Sequence, residues 1–349
     1  MKYLLFPLAV LYGWITDLRN WLYDTGRLKA VSFNLPVISI GNLRVGGTGK
    51  TPFIEYMIRL LAPKYKIATL SRGYGRKTKG FRLANSASTA QEIGDEPLQL
   101  YSKYGDQIHV CVGEERILAI PELLALHPET EVILLDDAFQ HRSIRPYFQI
   151  LLSDYENLFY NDYLLPMGRL RERRKHVRRT HFFIITKCPP DLSKDEKTTI
   201  IHRILSYAPQ RIILFTSLTY GNPYNIFTKE NAHLQKVALL SGIAQPQHFE
   251  KAMREKFEVI KHFIFPDHHF YTQQEIAKIC DFLEKNPDTT LLCTEKDAVK
   301  LQKMQISEPL KARFFSIGIE IYFPDETEEK IFKFAMEHLI KNFYDGLKK

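Results

Sequence analysis

Four short stretches carry residues that could move a phosphoryl group. VGGTGKTP (Val45–Pro52) is rich in glycine and ends in a lysine and a hydroxyl. Gly46, Gly47 and Gly49 allow the backbone, Thr48 included, to turn its N–H groups onto a phosphate. Lys50 is placed to reach the β- and γ-phosphates of ATP, and Thr51 to ligate Mg²⁺. The usual spacing is glycine, four residues, then Gly-Lys-Ser/Thr. Gly49-Lys50-Thr51 fits, but Arg44 stands where the leading glycine belongs. VILLDDAFQH supplies the partner acid. Four apolar residues read as a buried strand, with Asp136 and Asp137 at its carboxyl end, where ligands of parallel sheets bind. One aspartate would hold Mg²⁺ and the other would orient its shell. A kinase further needs a group that positions or deprotonates the acceptor hydroxyl. GDEP offers Asp95 and Glu96, and PDHH offers Asp267, His268 and His269. A carboxylate beside an imidazole fixes its tautomer and raises its basicity.

These residues need a scaffold. Strand candidates VISIGN, KIATLSR, IHVCVG, VILLDDA, FQILLSD, THFFIIT and RIILFTSL alternate with helical patterns. That order predicts an α/β fold, a phosphate-loop NTPase-like parallel sheet with helices on both faces. The stretch from Tyr220 to Ala232 is polar, and within it GNPYN, from Gly221 to Asn225, reads as a loop that marks a boundary. KVALLSG, EVIKHFIF, TTLLCTEK and RFFSIGIEIYF then build a second, smaller α/β domain. RIILFTSL and FFSIGIEIYF flank it and are expected to pair as a connecting ribbon. The predicted divisions are 1–30, 31–220 and 221–349.

The chain has 349 residues, 45% hydrophobic and 25% charged, enough for two sizeable cores. Four cysteines without paired short spacing argue against a zinc or disulfide framework. The formal charge of +8 favours anionic partners. In LPMGRLRERRKHVRRT, Arg169, Arg171, Arg173, Arg174, Lys175, Arg178 and Arg179 oppose Glu172 alone. Such a cluster suits phosphate or acidic headgroups. No aromatic interleaves it, which counts against nucleic acid. At the N-terminus, Leu4, Leu8, Leu11, Ile15, Leu18 and Leu22 form one helical stripe, with Phe6, Tyr12, Trp14, Trp21 and Tyr23 along it. The uncharged run is too short to cross a bilayer, which takes about 20 residues. The segment is either a helix docked on its own core or one lying in a membrane interface.

SIGNLRVGGTGKTP, LSRGYGR, GDEP, DDAFQHR, LPMGRLRE, FPDHH and TEKDAVK occur in this order. Together they resemble the tetraacyldisaccharide 4′-kinase family of lipid A biosynthesis, over roughly residues 1 to 325. That family's loop also lacks the leading glycine. The resemblance implies transfer of the γ-phosphate of ATP to the 4′-hydroxyl of a lipid disaccharide 1-phosphate, giving lipid IVA. It implies a monomer at the cytoplasmic face of the bacterial inner membrane, with the N-terminal helix in the interface. Asp95 and His268 (or His269 beside it) would activate the hydroxyl. Tyr74, Arg116, Gln140, His141, Arg171 and Glu172 match positions near the substrate. Ala138, Met167 and Arg169 depart from the family's usual residues. The alternative is a membrane-associated ATPase switch with no lipid acceptor.

Overall fold

The computed structural model describes residues 2–347. Met1, Lys348 and Lys349, at the ends of the expected first and last segments, lie outside the described residues. The first sheet has eight strands in the order β3-β4-β2-β5-β1-β6-β7-β8. These are β1 (Val37–Asn42), β2 (Ile67–Ser71), β3 (Arg82–Leu83), β4 (Ile108–Val112), β5 (Val132–Asp136), β6 (Phe148–Asp154), β7 (Phe182–Thr186) and β8 (Ile212–Phe215). All pairs are parallel except β3 with β4. Helices cover both faces, so the central strands are apolar on both sides. Ile38, Ile40, Val132 and Leu134 face one core, and Val37, Ile133 and Leu135 the other. β1 lies between β5 and β6, with Ile40 opposite Asp136. The register therefore sets the acidic strand end beside the glycine loop that leaves β1.

β9 (Ser217–Tyr220) leads to the second sheet of β10 (Tyr224–Asn225), β11 (Lys236–Ser241), β12 (Glu258–Ile264), β13 (Thr290–Thr294) and β14 (Phe314–Ile317), ordered β10-β14-β13-β11-β12. The expected ribbon is present: β9 pairs antiparallel with β15 (Ile319–Tyr322). Three details differ from the sequence reading. FFSIGIEIYF is two strands, divided at Gly318, where a Cβ would lie 2.6 Å from Glu295 Oε1. The polar stretch after Tyr220 is not all loop, because Tyr224 and Asn225 pair antiparallel with β14. The C-terminal stretch returns to the first sheet: Phe332, Met336 and Ile340 of the helix Glu326–Leu347 bury in its core with Phe53, Tyr56 and Phe182.

The seam between the sheets holds a buried polar cluster beside the apolar contacts of Val299, Ile321 and Phe323 with the first core. Glu55 is buried; Gln99 donates to it at 2.8 Å and to Glu295 at 3.0 Å. Lys103 pairs with Glu55 and, at 2.8 Å, with Glu295. Burial, then the charge of Glu295, pushes the Glu55 carboxyl well above its ordinary value against the pull of Lys103.

The N-terminal helix (Phe6–Asp24) docks by its polar side. Tyr12 donates to the Arg171 carbonyl at 2.9 Å, and Asn20 to Glu172 at 3.1 Å. Asp17 takes Arg173 at 3.2 Å, Lys175 at 2.8 Å and His176 at 2.7 Å. Gly13 permits this approach, since a Cβ there would sit 2.9 Å from the Arg173 guanidinium and from Leu164. Its stripe of Leu8, Leu11, Trp14, Ile15, Leu18 and Trp21 faces solvent, Trp14 being 64% exposed. Much of the basic cluster is thereby consumed inside the protein. Arg174 binds the Asp162 carbonyl, Arg178 the Tyr207 carbonyl, and Arg179 the Glu172 carboxylate. No helix among the described residues is long and apolar enough to cross a membrane.

Candidate active site

β1 delivers the glycine loop, and the helix Lys50–Leu61 receives it. Gly46 (φ +127°) and Gly49 (φ +75°) adopt backbone that other residues rarely take. Nothing lies within 4 Å of where a Cβ on Gly46 or Gly47 would sit, so the loop opens on free space. Its carbonyls are held from behind. Thr186 donates to the Thr48 carbonyl at 2.9 Å, and Lys187 to the Gly47 carbonyl at 2.6 Å. Asn42 fixes the Thr48 hydroxyl at 2.9 Å. The arginine at position 44 follows from how the loop begins. Arg44 forms an antiparallel bridge with Leu170, Val45 N–H donates to the Arg169 carbonyl at 2.8 Å, and the Arg44 guanidinium pairs with Asp162 at 2.7 Å. An extended, bridged residue has no need of glycine, and here its side chain anchors the loop.

The acidic strand end faces this loop. Asp137 (φ +48°) lies 3.7 Å from Lys50 Nζ and accepts from Arg171 at 3.0 Å. Burial opposes its ionisation, but Lys50, Arg171 and Arg116 outweigh that and hold the carboxyl below its ordinary value. Asp136 behaves in the opposite way. Burial pushes it up to about 7, with the charges of Asp137 and Glu96 adding and Lys50 opposing. Its Oδ1 is buried without a hydrogen-bond partner.

The GDEP and PDHH segments meet across the seam. Asp95 opens the helix Asp95–Tyr104 after Gly94 (φ +94°). Its Oδ2 is 2.8 Å from His268 Nδ1 and 2.7 Å from Lys300 Nζ. His269 is engaged elsewhere, 3.1 Å from Glu275, so the histidine beside Asp95 is His268. Burial alone would raise Asp95, but hydrogen bonds from His268 and Lys300 hold it below its ordinary value. The hydrogen bond to Asp95 raises His268, despite burial and the cation Lys296. The loop and the pair are electrostatic neighbours: Glu96 bears on both Asp136 and His268.

The remaining predicted residues scatter around these two centres. Tyr74 is 72% exposed, and its ring lies 5.7 Å from that of His268. Arg116 is buried; burial lowers it, and the charges of Asp136 and Asp137 oppose that. Gln140 accepts from Arg171 at 3.2 Å and donates to the Asn42 carbonyl at 2.9 Å, tying the acidic strand end to β1. His141 contacts Ser143 at 2.9 Å and is pushed down to about 4 by burial, then by Arg116, Arg19 and Arg72. Glu172 belongs to a different contact: it is buried between Asn20 and Arg179, where it holds the N-terminal helix. Sequence reasoning assigned no role to Lys296 and Lys300. The signal was present, since TEKDAVK places them four apart on one helix face, opposite the adjacent acids Glu96 and Asp95.

The tetraacyldisaccharide-1-P 4′-kinase family profile matches residues 1–335. Among curated relatives, the tetraacyldisaccharide 4′-kinase of Flavobacterium psychrophilum is 44% identical over 89% of this chain and 92% of its own. That of Phocaeicola vulgatus is 41% identical over 97% of this chain and 95% of its own. A crystal structure of apo-form LpxK from Aquifex aeolicus in complex with ATP is similar at a TM-score of 0.76 and 28% identity, covering 97% of this chain and 99% of that one. The glycine loop, the acidic strand end and the paired Asp95 and His268 thus sit in a chain that belongs to the tetraacyldisaccharide-1-P 4′-kinase family.

Proposed function

We propose that this protein transfers the γ-phosphoryl group of ATP to the 4′-hydroxyl of a tetraacyldisaccharide 1-phosphate, giving lipid IVA. The observation that carries this reading is the Asp95–His268 pair, 2.8 Å apart and contributed from opposite sides of the seam, with Glu96 bearing on both this pair and the acidic strand end. A hydrolase switch has no need of such a base facing an acceptor. Gly46, Gly47, Thr48, Gly49 and Lys50 cradle the phosphates. His268 Nδ1 is taken by Asp95, which leaves Nε2 toward the acceptor. The pair takes the hydroxyl proton, the 4′-oxygen bonds to the γ-phosphorus, and the bond to the β–γ bridging oxygen breaks. Lys50 and Arg171 face the charge that develops.

The donors present fit Mg²⁺. Asp136 carries a buried carboxylate oxygen without a partner beside the loop, and hard divalent cations take such oxygens. Asp136 and the Thr51 hydroxyl would hold the ion, and Asp137, already paired with Lys50 and Arg171, would orient that set. When bound, Mg²⁺ neutralises phosphate charge. Tyr74, Arg116, Gln140 and His141 line the substrate side, with Glu172 contributing through the N-terminal helix. The exposed apolar stripe of that helix fits a peripheral enzyme at the cytoplasmic face of the inner membrane, where its acylated substrate resides.

Incubation with γ-labelled ATP, Mg²⁺ and the disaccharide 1-phosphate in detergent tests the reading. A labelled bisphosphorylated lipid is expected, and labelled free phosphate alone would sink it. Asp95→Ala and His268→Ala are each expected to lower kcat by about 10²–10⁴-fold, the usual contribution of a positioned base, with ATP affinity retained. Near-normal turnover in both variants would remove the pair from the mechanism.

A further inference from the structure

The TEKDAVK segment has a place in the site that the reaction as described does not use. Its helix, Glu295–Leu301, begins at Thr294, whose hydroxyl accepts from Asp297 N–H. The buried Asp297 carboxylate takes Tyr271 OH at 2.7 Å and Gly242 N–H at 3.0 Å, locking this helix to the segment that carries His268. One face of the helix then meets the first turn of Asp95–Tyr104. Lys296 pairs with Glu96 at 2.5 Å, and Lys300 with Asp95 at 2.7 Å.

Lys300 is the more constrained of the two lysines. Its side chain and that of Asp95 are each only 5% exposed. Its ammonium also donates to the His269 carbonyl at 3.1 Å and lies 5.7 Å from the Phe270 ring centre. One cation therefore grips the acidic member of the pair and the backbone next to the basic member. That backbone needs holding, because His268 adopts φ +59°, a region non-glycine residues seldom occupy. Asp95 Oδ2 receives both Lys300 and His268 Nδ1. The other charged groups around the pair are engaged differently. Asp267 lies 3.9 Å from His268 Nε2, and Lys296 is committed to Glu96. Tyr271 is committed to Asp297.

We propose that Lys300 is a positioning residue for phosphoryl transfer: it holds Asp95 as the carboxylate and ties down the His269 carbonyl next to His268, so that Nδ1–H points at Asp95 and Nε2 is offered to the acceptor. This rests on the kinase reading above. Removing the cation makes protonation of the pair easier, so the acid limb of the pH–rate profile moves to higher pH. The Lys300 stem also packs in the site, and Lys300→Met keeps that stem while removing the charge.

Wild type, Lys300→Met and Lys300→Arg are compared in the labelled-lipid assay across pH, with ATP affinity and thermal midpoint measured alongside. Lys300→Met is expected to lower kcat at least about tenfold, part of what a positioned base contributes. Its ATP affinity should be retained and its acid limb raised. Lys300→Arg keeps the charge, so its acid limb should stay at the wild-type position and part of the rate should return. Unchanged kcat and an unmoved limb in Lys300→Met overturn the inference. Equal losses in both variants with the limb unmoved, or a Lys300→Arg limb that shifts although its charge is kept, overturn it too, and the Arg variant decides if the Met variant fails to fold. Wild type that labels no lipid counts against the kinase reading instead.

Discussion

The chain has a long amphipathic helix at each end, and the two are turned opposite ways. The C-terminal helix Glu326–Leu347 buries Phe332, Met336 and Ile340 against the first sheet. The N-terminal helix Phe6–Asp24 points Leu11, Trp14, Ile15 and Leu18 into solvent and docks through Tyr12, Asp17 and Asn20. Apolar periodicity announces that a stripe will be covered, but says nothing of what covers it. The covering agent is read from the other face. Where that face brings carboxylate and amide to a basic segment of the same chain, the apolar face stays open to solvent.

The largest expected effect that tests this contrast is on stability. Phe332→Ala should cost about 3–5 kcal/mol in denaturant unfolding, as large-to-small changes in a closed core do, and leave vesicle binding per folded molecule unchanged. A loss within error of zero would mean that the C-terminal helix is not core. The second effect runs the other way. The double variant Trp14→Ser, Leu18→Ser should weaken sedimentation with anionic vesicles at least about tenfold, since each buried apolar side chain contributes about 1.5–3 kcal/mol. Its unfolding midpoint should hardly move. Undiminished vesicle binding would make the exposed stripe idle. The smallest effect is local and pH-dependent. Burial alone would raise Asp17, but hydrogen bonds from Lys175 and His176 outweigh it and hold the carboxyl below its ordinary value. A depressed carboxyl stabilises above its unfolded value and loses that contribution as pH falls through the folded one. Hydrogen exchange should therefore show residues 6–24 losing protection below about pH 4, ahead of 326–347. Simultaneous loss would erase the distinction between a charged dock and an apolar one.

Much of the candidate site is assembled from residues that stand out before any fold is known. Gly46 to Thr51, Asp136, Asp137, Asp95 and His268 carry reactive groups in local patterns, and the strand–helix alternation around them gave the parallel sheet. What could not be read depends on contacts far apart in sequence. Glu172 looked like one acid among arginines, and only the docked helix shows that its partners are Asn20 and Arg179. The choice between His268 and His269 turned on which ring reaches Asp95 and which reaches Glu275. Lys300 had no visible role until it met an aspartate 205 positions earlier (300 − 95). The apolar pattern of residues 332–340 does not say which of two cores receives it.

The seam around Glu55, Gln99, Lys103 and Glu295 has a mechanical consequence. Parting two greasy surfaces exposes hydrocarbon and is resisted over the whole area. Parting amides, carboxylates and an ammonium lets water replace each lost partner in turn. Contacts of that kind between parts of one chain ordinarily permit relative movement. The halves that bring Asp95 and His268 together are therefore joined by something closer to a wet clutch than to a weld. Around the polar cluster such a joint would let the halves part, while Val299, Ile321 and Phe323, buried in the first core, keep them linked.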